Sequence, residues 1–137
     1  MAEGTFQCSV VTPERAVLET EARSVVLPAH DGEVGIMRGH SPLLARMGIG
    51  LLRVQAADGT KTEFFVDGGF AQMVENKLTI LTEQARPPED LDAGEADSLL
   101  ESARALPGVD DRAFTERQNA LERARVQRKL ATRTGGQ

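Results

Sequence analysis

The chain reads as an N-terminal two-sheet β-sandwich of about ten strands followed by a C-terminal antiparallel two-helix hairpin. Between Thr5 and about Glu83 the sequence is a series of short Val-, Leu-, Ile-, Thr- and Phe-rich segments separated by turn pairs. At Arg86-Pro87-Pro88 this pattern stops, because consecutive prolines stiffen the chain and cannot continue a β ladder. Beyond the prolines the apolar residues recur at helical spacing. The boundaries that follow are a domain over residues 1–86 and a second over residues 87–137.

The strand candidates, in order, are TFQCSVV, RAVLET, ARSVVLPA, GEVGIM, GIGLLRVQ, TEFFVDG, GFAQMVE and KLTILTE. So many short strands in so few residues make a sandwich or a barrel, and strands with two inner faces to cover favour two packed sheets. In the first segment Phe6, Cys8 and Val10 alternate onto one face, so Cys8, the one cysteine, reads as a buried thiol. The stretch Leu27–Leu44 is dense in turn signals: Pro28 ends a run, Asp31-Gly32 is a tight-turn pair, and Gly35, Gly39 and Pro42 punctuate the rest. It reads either as an ordinary connector or as a loop pinned to present a surface. Ala57-Asp58-Gly59-Thr60 and Glu75-Asn76-Lys77 are hairpin turns. Asp67-Gly68-Gly69 lacks the helix and lysine of a phosphate loop and reads as a bulge or corner; Gly48-Ile49-Gly50 fails as a dinucleotide fingerprint because Arg53 stands where the third glycine belongs.

In the second domain Asp92 is the expected N-cap, with Glu95 three residues on. The helix carries Ala96, Leu99, Leu100, Ala103 and Leu106 on one face and stops at Pro107-Gly108. A second helix starts near Asp110-Asp111 and runs to about Thr132; its apolar residues are few and mostly small, which makes the hairpin a part that docks, detaches or extends. Charge is asymmetric: residues 1–111 hold 9 Lys+Arg against 19 Asp+Glu, and residues 112–137 hold 7 against 2. A basic helix on an acidic protein suits an acidic protein partner; the alternative is a solvated face held by pairs such as Glu116 with Arg112 or Glu122 with Arg125. Nucleic acid is disfavoured, because the acidic remainder would repel phosphate and the tail has one aromatic, Phe114.

No catalytic constellation stands out. With 137 residues the chain buries one modest core. His30 and His40 have no cysteine partner, so no metal or cofactor is expected, and Ser41 beside His40 points away from it on an extended chain. The opening MAEGTFQ carries neither an apolar signal stretch nor an arginine-rich transit segment, and no window approaches a membrane span, so membrane association would run through a partner.

The segments VVTPERAVLETEARSVVLPAHDGEVGIMRGHSPLLARMGIGLLRV and VDGGFAQMVENKLTILTEQA, with the G-E-x-G-I-x-x-G-H-x-P-L-L run at Gly32–Leu44, resemble the epsilon subunit of the F-type ATP synthase. The likeness is close over Val10–Ala85 and looser to the C-terminus. It implies a non-catalytic subunit of the rotating central stalk, peripheral on the cytoplasmic side of a bacterial cell membrane, coupling the gamma subunit to the ring of c subunits. Glu33, Gly35, His40 and Ser41 would face that ring. The C-terminal helices would meet the alpha and beta subunits and inhibit ATP hydrolysis, with Arg117, Arg123, Arg125, Arg128 and Lys129 toward an acidic segment of beta. ATP-binding members carry D-x-x-R-A at the first helix. Here Asp92, Glu95 and Ala96 fill those positions, and glutamate in place of arginine would repel phosphate, so weak or absent ATP binding is expected.

Overall fold

A computed structural model describes residues 4–135. Its contacts divide the chain into two units, one reaching to Ala85 and the other starting at Arg86. The first holds β1 (Phe6–Val11), β2 (Ala16–Ala29), β3 (Gly32–Met37), β4 (Leu43–Ala56), β5 (Lys61–Val74) and β6 (Lys77–Leu81); β7 (Ala85–Arg86) is a two-residue strand where one unit gives way to the next. β1 pairs with β2 on one side and, in parallel, with β6 on the other; β6 pairs with β5, β5 with β4 and β4 with β2. Five strands therefore close on themselves in a barrel-like ring, with β3 hydrogen-bonded to the outer half of β2.

This corrects the expectation of about ten strands in two separate sheets. The walls of the ring still enclose one core, but three strands of 14 residues each serve more than one wall. RAVLET and ARSVVLPA are both β2, and TEFFVDG and GFAQMVE are both β5. Residues that read as terminators bend these strands without ending them. Pro28 lies inside β2, and opposite Leu27 and Pro28 the partner β4 loops out through Gly48–Leu52 before pairing resumes at Ala29↔Met47. Proline lacks the N–H a ladder needs, so a bulge is the place where a strand tolerates it. Gly50 lets the pyrrolidine ring approach, since a Cβ there would lie 2.8 Å from the Pro28 Cβ. In β5 the corner is Gly68-Gly69, with φ of +70° and +108°.

Alternation fills the interior. Phe6, Cys8 and Val10 of β1, Leu78 and Ile80 of β6, and Ala71 and Met73 of β5 meet Val25, Leu27, Ile36, Leu52, Val54 and Val66 in one buried cluster. Glu75 and Asn76, at φ of +49° and +60°, make the tight turn between β5 and β6.

In the second unit a 3-10 turn at Pro88–Asp90 precedes α1 (Ala93–Arg104) and α2 (Asp111–Gly135), which pack against each other. The Asp92 side chain caps α1 by accepting from the Glu95 N–H at 2.8 Å, and Asp110 does the same for α2 through the Ala113 N–H at 2.8 Å. Four of the buried positions are alanines, Ala96 and Ala103 on α1 and Ala124 and Ala131 on α2, and Leu121, Gln127 and Leu130 of α2 complete the seam. Leu99 and Leu106, expected on the packed face, stay exposed. A thin alanine seam of this kind gives a hairpin with little apolar burial to hold it shut.

Candidate functional site

The outer face of the β4–β5–β6–β1 wall can be built from register alone. Arg46 of β4 pairs with Phe70 of β5, Phe70 with Leu81 of β6, and Leu81 with Val11 of β1. One step along, Leu44, Gln72, Thr79 and Ser9 form the next row. Directly opposed residues share a sheet face, so these side chains point away from the core residues Ala71, Met73, Leu78 and Ile80 that alternate with them. Leu44, Phe70 and Leu81 are 72%, 53% and 51% exposed. Beside Phe70 and Leu81 runs a groove of about 820 Å³ that Val11, Pro13 and Arg46 also line. Large apolar side chains gathered on one otherwise polar sheet face mark a protein contact. In the sequence these residues read as ordinary strand positions. The signal was present in the segments GFAQMVE and KLTILTE, which carry apolar residues at both alternating phases.

Glu33, Gly35, His40 and Ser41 do not share one loop. Glu33 and Gly35 lie on the exposed face of β3, with Val34 and Ile36 turned inward, and His40 and Ser41 lie in the connection beyond its far end. Glu33 Oε2 accepts from Arg53 Nη2 at 3.2 Å across β2. The connection after β3 is tied down at several points. The Gly39 N–H donates to Asn76 Oδ1 at 2.8 Å, the His40 N–H to the Met37 carbonyl at 3.2 Å, and Arg38 reaches the Thr5 carbonyl at 3.4 Å. His40 Nδ1 lies 2.8 Å from the Ser41 carbonyl. Proline and glycine therefore shape this segment, but a distant asparagine anchors it, and nothing local in the sequence pointed to Asn76.

The structure separates the five basic residues of the second helix. Arg125, Arg128 and Lys129 lie together along one edge, where with Leu100, Arg104 and Arg133 they line a cleft of about 600 Å³. Arg128 Nε meets Asp97 Oδ1 of α1 at 2.6 Å. Arg123 lies at another notch, beside Leu99, Leu106 and Ala120. Arg117 reaches back to the Arg104 carbonyl at the end of α1, at 3.5 Å, where a cation suits the helix dipole. Of the surface pairs expected on this helix, Arg112–Glu116 forms at 3.2 Å.

Asp92, Glu95 and Ala96 come together as the start of α1. Asp92 is engaged as the cap, Ala96 is buried and Glu95 is exposed. Cys8 lies in the core, where burial pushes its thiol up to about 12. Among the described residues no group of three His, Cys, Asp or Glu side chains could hold a metal ion, and no helix is long and apolar enough to cross a membrane.

A small closed β unit with an exposed apolar wall, followed by a helical hairpin with a basic edge, is the build of a protein that works by binding other proteins. Residues 5–88 match the family model described as the ATP synthase Delta/Epsilon chain β-sandwich domain. An ATP synthase epsilon chain from Rhodopirellula baltica is 42% identical over 123 residues, covering 90% of this chain and 95% of that one. Another from Syntrophomonas wolfei is 39% identical, covering 75% of each. The chain belongs to the epsilon-chain family of ATP synthase. Among solved structures, a chain of the Euglena gracilis mitochondrial ATP synthase (OSCP/F1/c-ring) shares the fold at a TM-score of 0.78 and 22% identity, covering 97% of this chain and 82% of that one. A chain of the Tetrahymena thermophila mitochondrial ATP synthase central stalk and c-ring does so at 0.68 and 12%, covering 92% and 96%.

Proposed function

We propose that this chain is a non-catalytic rotor subunit of an F-type ATP synthase, coupling the gamma subunit to the c-ring and restraining ATP hydrolysis through its C-terminal helices. The observation that carries the reading is the apolar outer wall. Leu44, Phe70 and Leu81, with the groove beside them, give the sheet unit a protein-docking face, which we assign to gamma. Ring contact falls to Glu33 and Gly35 on β3 and to His40 and Ser41 beyond it. Torque passes only through a contact that does not yield, and the Gly39–Asn76 bond ties down the segment that carries His40 and Ser41. The basic residues Arg117, Arg123, Arg125, Arg128 and Lys129 serve the hairpin's contact with alpha and beta, acidic segments of beta being the natural counterpart. Asp92 serves as the helix cap, and the Asp92–Ala96 segment holds ATP weakly or not at all. Association with the bacterial membrane, on its cytoplasmic side, runs through the ring.

The test is to replace Phe70 and Leu81 together by aspartate in the assembled enzyme. Both side chains are exposed, so the unit keeps its core. Losing two buried anchors of about 1.5–3 kcal/mol each should weaken retention on the stalk by well over tenfold, read by co-purification with gamma. Undiminished retention would show that another face does the docking.

A further inference from the structure

Arg46 stands among the exposed apolar side chains of the outer wall without a counterion. It lies directly opposite Phe70 and two residues along β4 from Leu44, and its guanidinium makes no hydrogen bond or ion pair with any described residue. By contrast, Arg23, Arg38 and Arg53 of the same unit each reach a carbonyl or a carboxylate. Glu83 also lines the groove, but it follows β6 on the far side of Phe70, two strand spacings or roughly 10 Å away. Over the paired residues 7–11, 43–46, 70–74 and 77–81 that build this wall, the charged residues are Arg46 and Lys77, both cations. Carboxylates outnumber cations over residues 1–85, 11 to 7, yet those that continue the same rows, Glu19 and Glu21, lie beyond β1 on β2, opposite Ser9 and Gln7.

A bare guanidinium on a docking face opposes docking, since its water leaves and nothing replaces it unless the partner brings a counter-charge. We propose that Arg46 is the residue by which this wall selects its partner: the protein face that covers it carries an aspartate or glutamate over Arg46, ringed by apolar side chains that meet Leu44, Phe70 and Leu81. The guanidinium fork donates to both oxygens of one carboxylate, which fixes orientation as well as affinity. Apolar contact alone sets no alignment on such a wall. The acidic surround repels a partner carboxylate elsewhere on the unit, so the Arg46 pairing sets the register of docking. This pairing rests on the assignment of the wall to gamma and adds what gamma must carry there.

The full chain, with each substitution in turn, is titrated at low and high salt into ATP synthase from which this subunit has been removed. Arg46→Met keeps the apolar stem of the side chain and deletes the charge, so the sign of its effect decides. Opposite a carboxylate it should weaken binding about ten- to a hundredfold, because the partner's charge is left covered and unpaired. The gap from the unaltered chain should narrow as salt rises. Arg46→Glu should weaken binding further, and Arg46→Lys, which keeps the charge and loses the fork, should fall between Arg46→Met and the unaltered chain. Lys61→Met, at the opposite end of β5, should leave affinity unchanged; an equal loss there would reduce the effect to overall charge and overturn the proposal. Because Arg46 is exposed and unpaired, Arg46→Met should keep the urea midpoint of the unaltered chain, so lost binding is not lost folding. Binding by Arg46→Met as tight as that of the unaltered chain, or tighter, overturns the proposal. If Phe70→Asp with Leu81→Asp weakens binding in that case, the docking wall stands without the pairing. If that double change leaves binding intact while Arg46→Met weakens it, the carboxylate partner stands and the apolar wall is not the docking face. A free chain that sediments as a dimer, when Arg46→Met does not, would give the wall to a second copy and overturn the proposal.

Discussion

Gly69 is the position where a single methyl group should do most damage. It sits at the corner of β5, between its pairing partner Met47 on β4 and the Phe70↔Leu81 pairing with β6, so the ring depends on its geometry. A Cβ at Gly69 would fall on the Leu81 carbonyl oxygen, closer than any real contact, with the Leu81 carbonyl carbon and Thr82 Cα both at 2.9 Å. All three are backbone atoms, so relief requires moving β6 or unpairing it. Its φ of +108° adds strain for any L-residue. Backbone strain of about 1–3 kcal/mol and overpacking of about 1–3 kcal/mol together give Gly69→Ala a cost of about 2–6 kcal/mol. Against a typical total stability of about 5–15 kcal/mol, that loss unfolds a substantial share of the molecules or shifts the urea midpoint sharply. The assay is urea unfolding of the full chain followed by far-ultraviolet circular dichroism. A Gly69→Ala variant within about 0.5 kcal/mol of the unaltered chain would refute the claim that this corner closes the ring.

Two further outcomes follow from the same unit. Gly35→Ala, whose Cβ would meet nothing within 4 Å, should change stability by less than about 1 kcal/mol while adding bulk to the face assigned to the c-ring, so any loss of ring retention in that variant is a surface effect. Cys8 gives a pH dependence. Burial holds its thiol up to about 12, above the ordinary 9.0, so the neutral thiol is favoured in the folded state and its contribution is fully present below pH 9. As pH rises toward 12 the unfolded chain ionises first and stability falls. Between pH 8 and 10 the unaltered chain should lose roughly 1.5 kcal/mol more than Cys8→Ala, measured by urea unfolding; parallel losses would show the thiol is not shielded.

Much of the fold was legible because the core is alternating and local. Phe6, Cys8 and Val10 announce an inner face, Asp92 with Glu95 announces a helix start, and Pro87-Pro88 marks the change of composition close to where the two units divide. What was not legible depends on partners far apart in sequence. Pro28 looks like a terminator until β4 is seen to bulge around it, and Gly68-Gly69 looks like a gap between strands until both halves pair with β4. The same limit applies to the surfaces. The basic residues of α2 were visible as a set, but only the fold separates Arg117 and Arg123 from the cleft and brings Asp97 to Arg128. Phe70 and Leu81 were read as ordinary strand residues because the sequence does not say that the outer wall is left uncovered.

In the proposed function a β unit docks and a hairpin restrains hydrolysis, and truncation of the chain after Val109 tests that division directly. The β unit carries its own buried core and should remain on the stalk, so the complex should assemble and co-purify as before. With the basic edge of α2 removed, ATP hydrolysis by the complex should rise. An assembled complex whose hydrolysis rate is unchanged by the truncation would contradict the account.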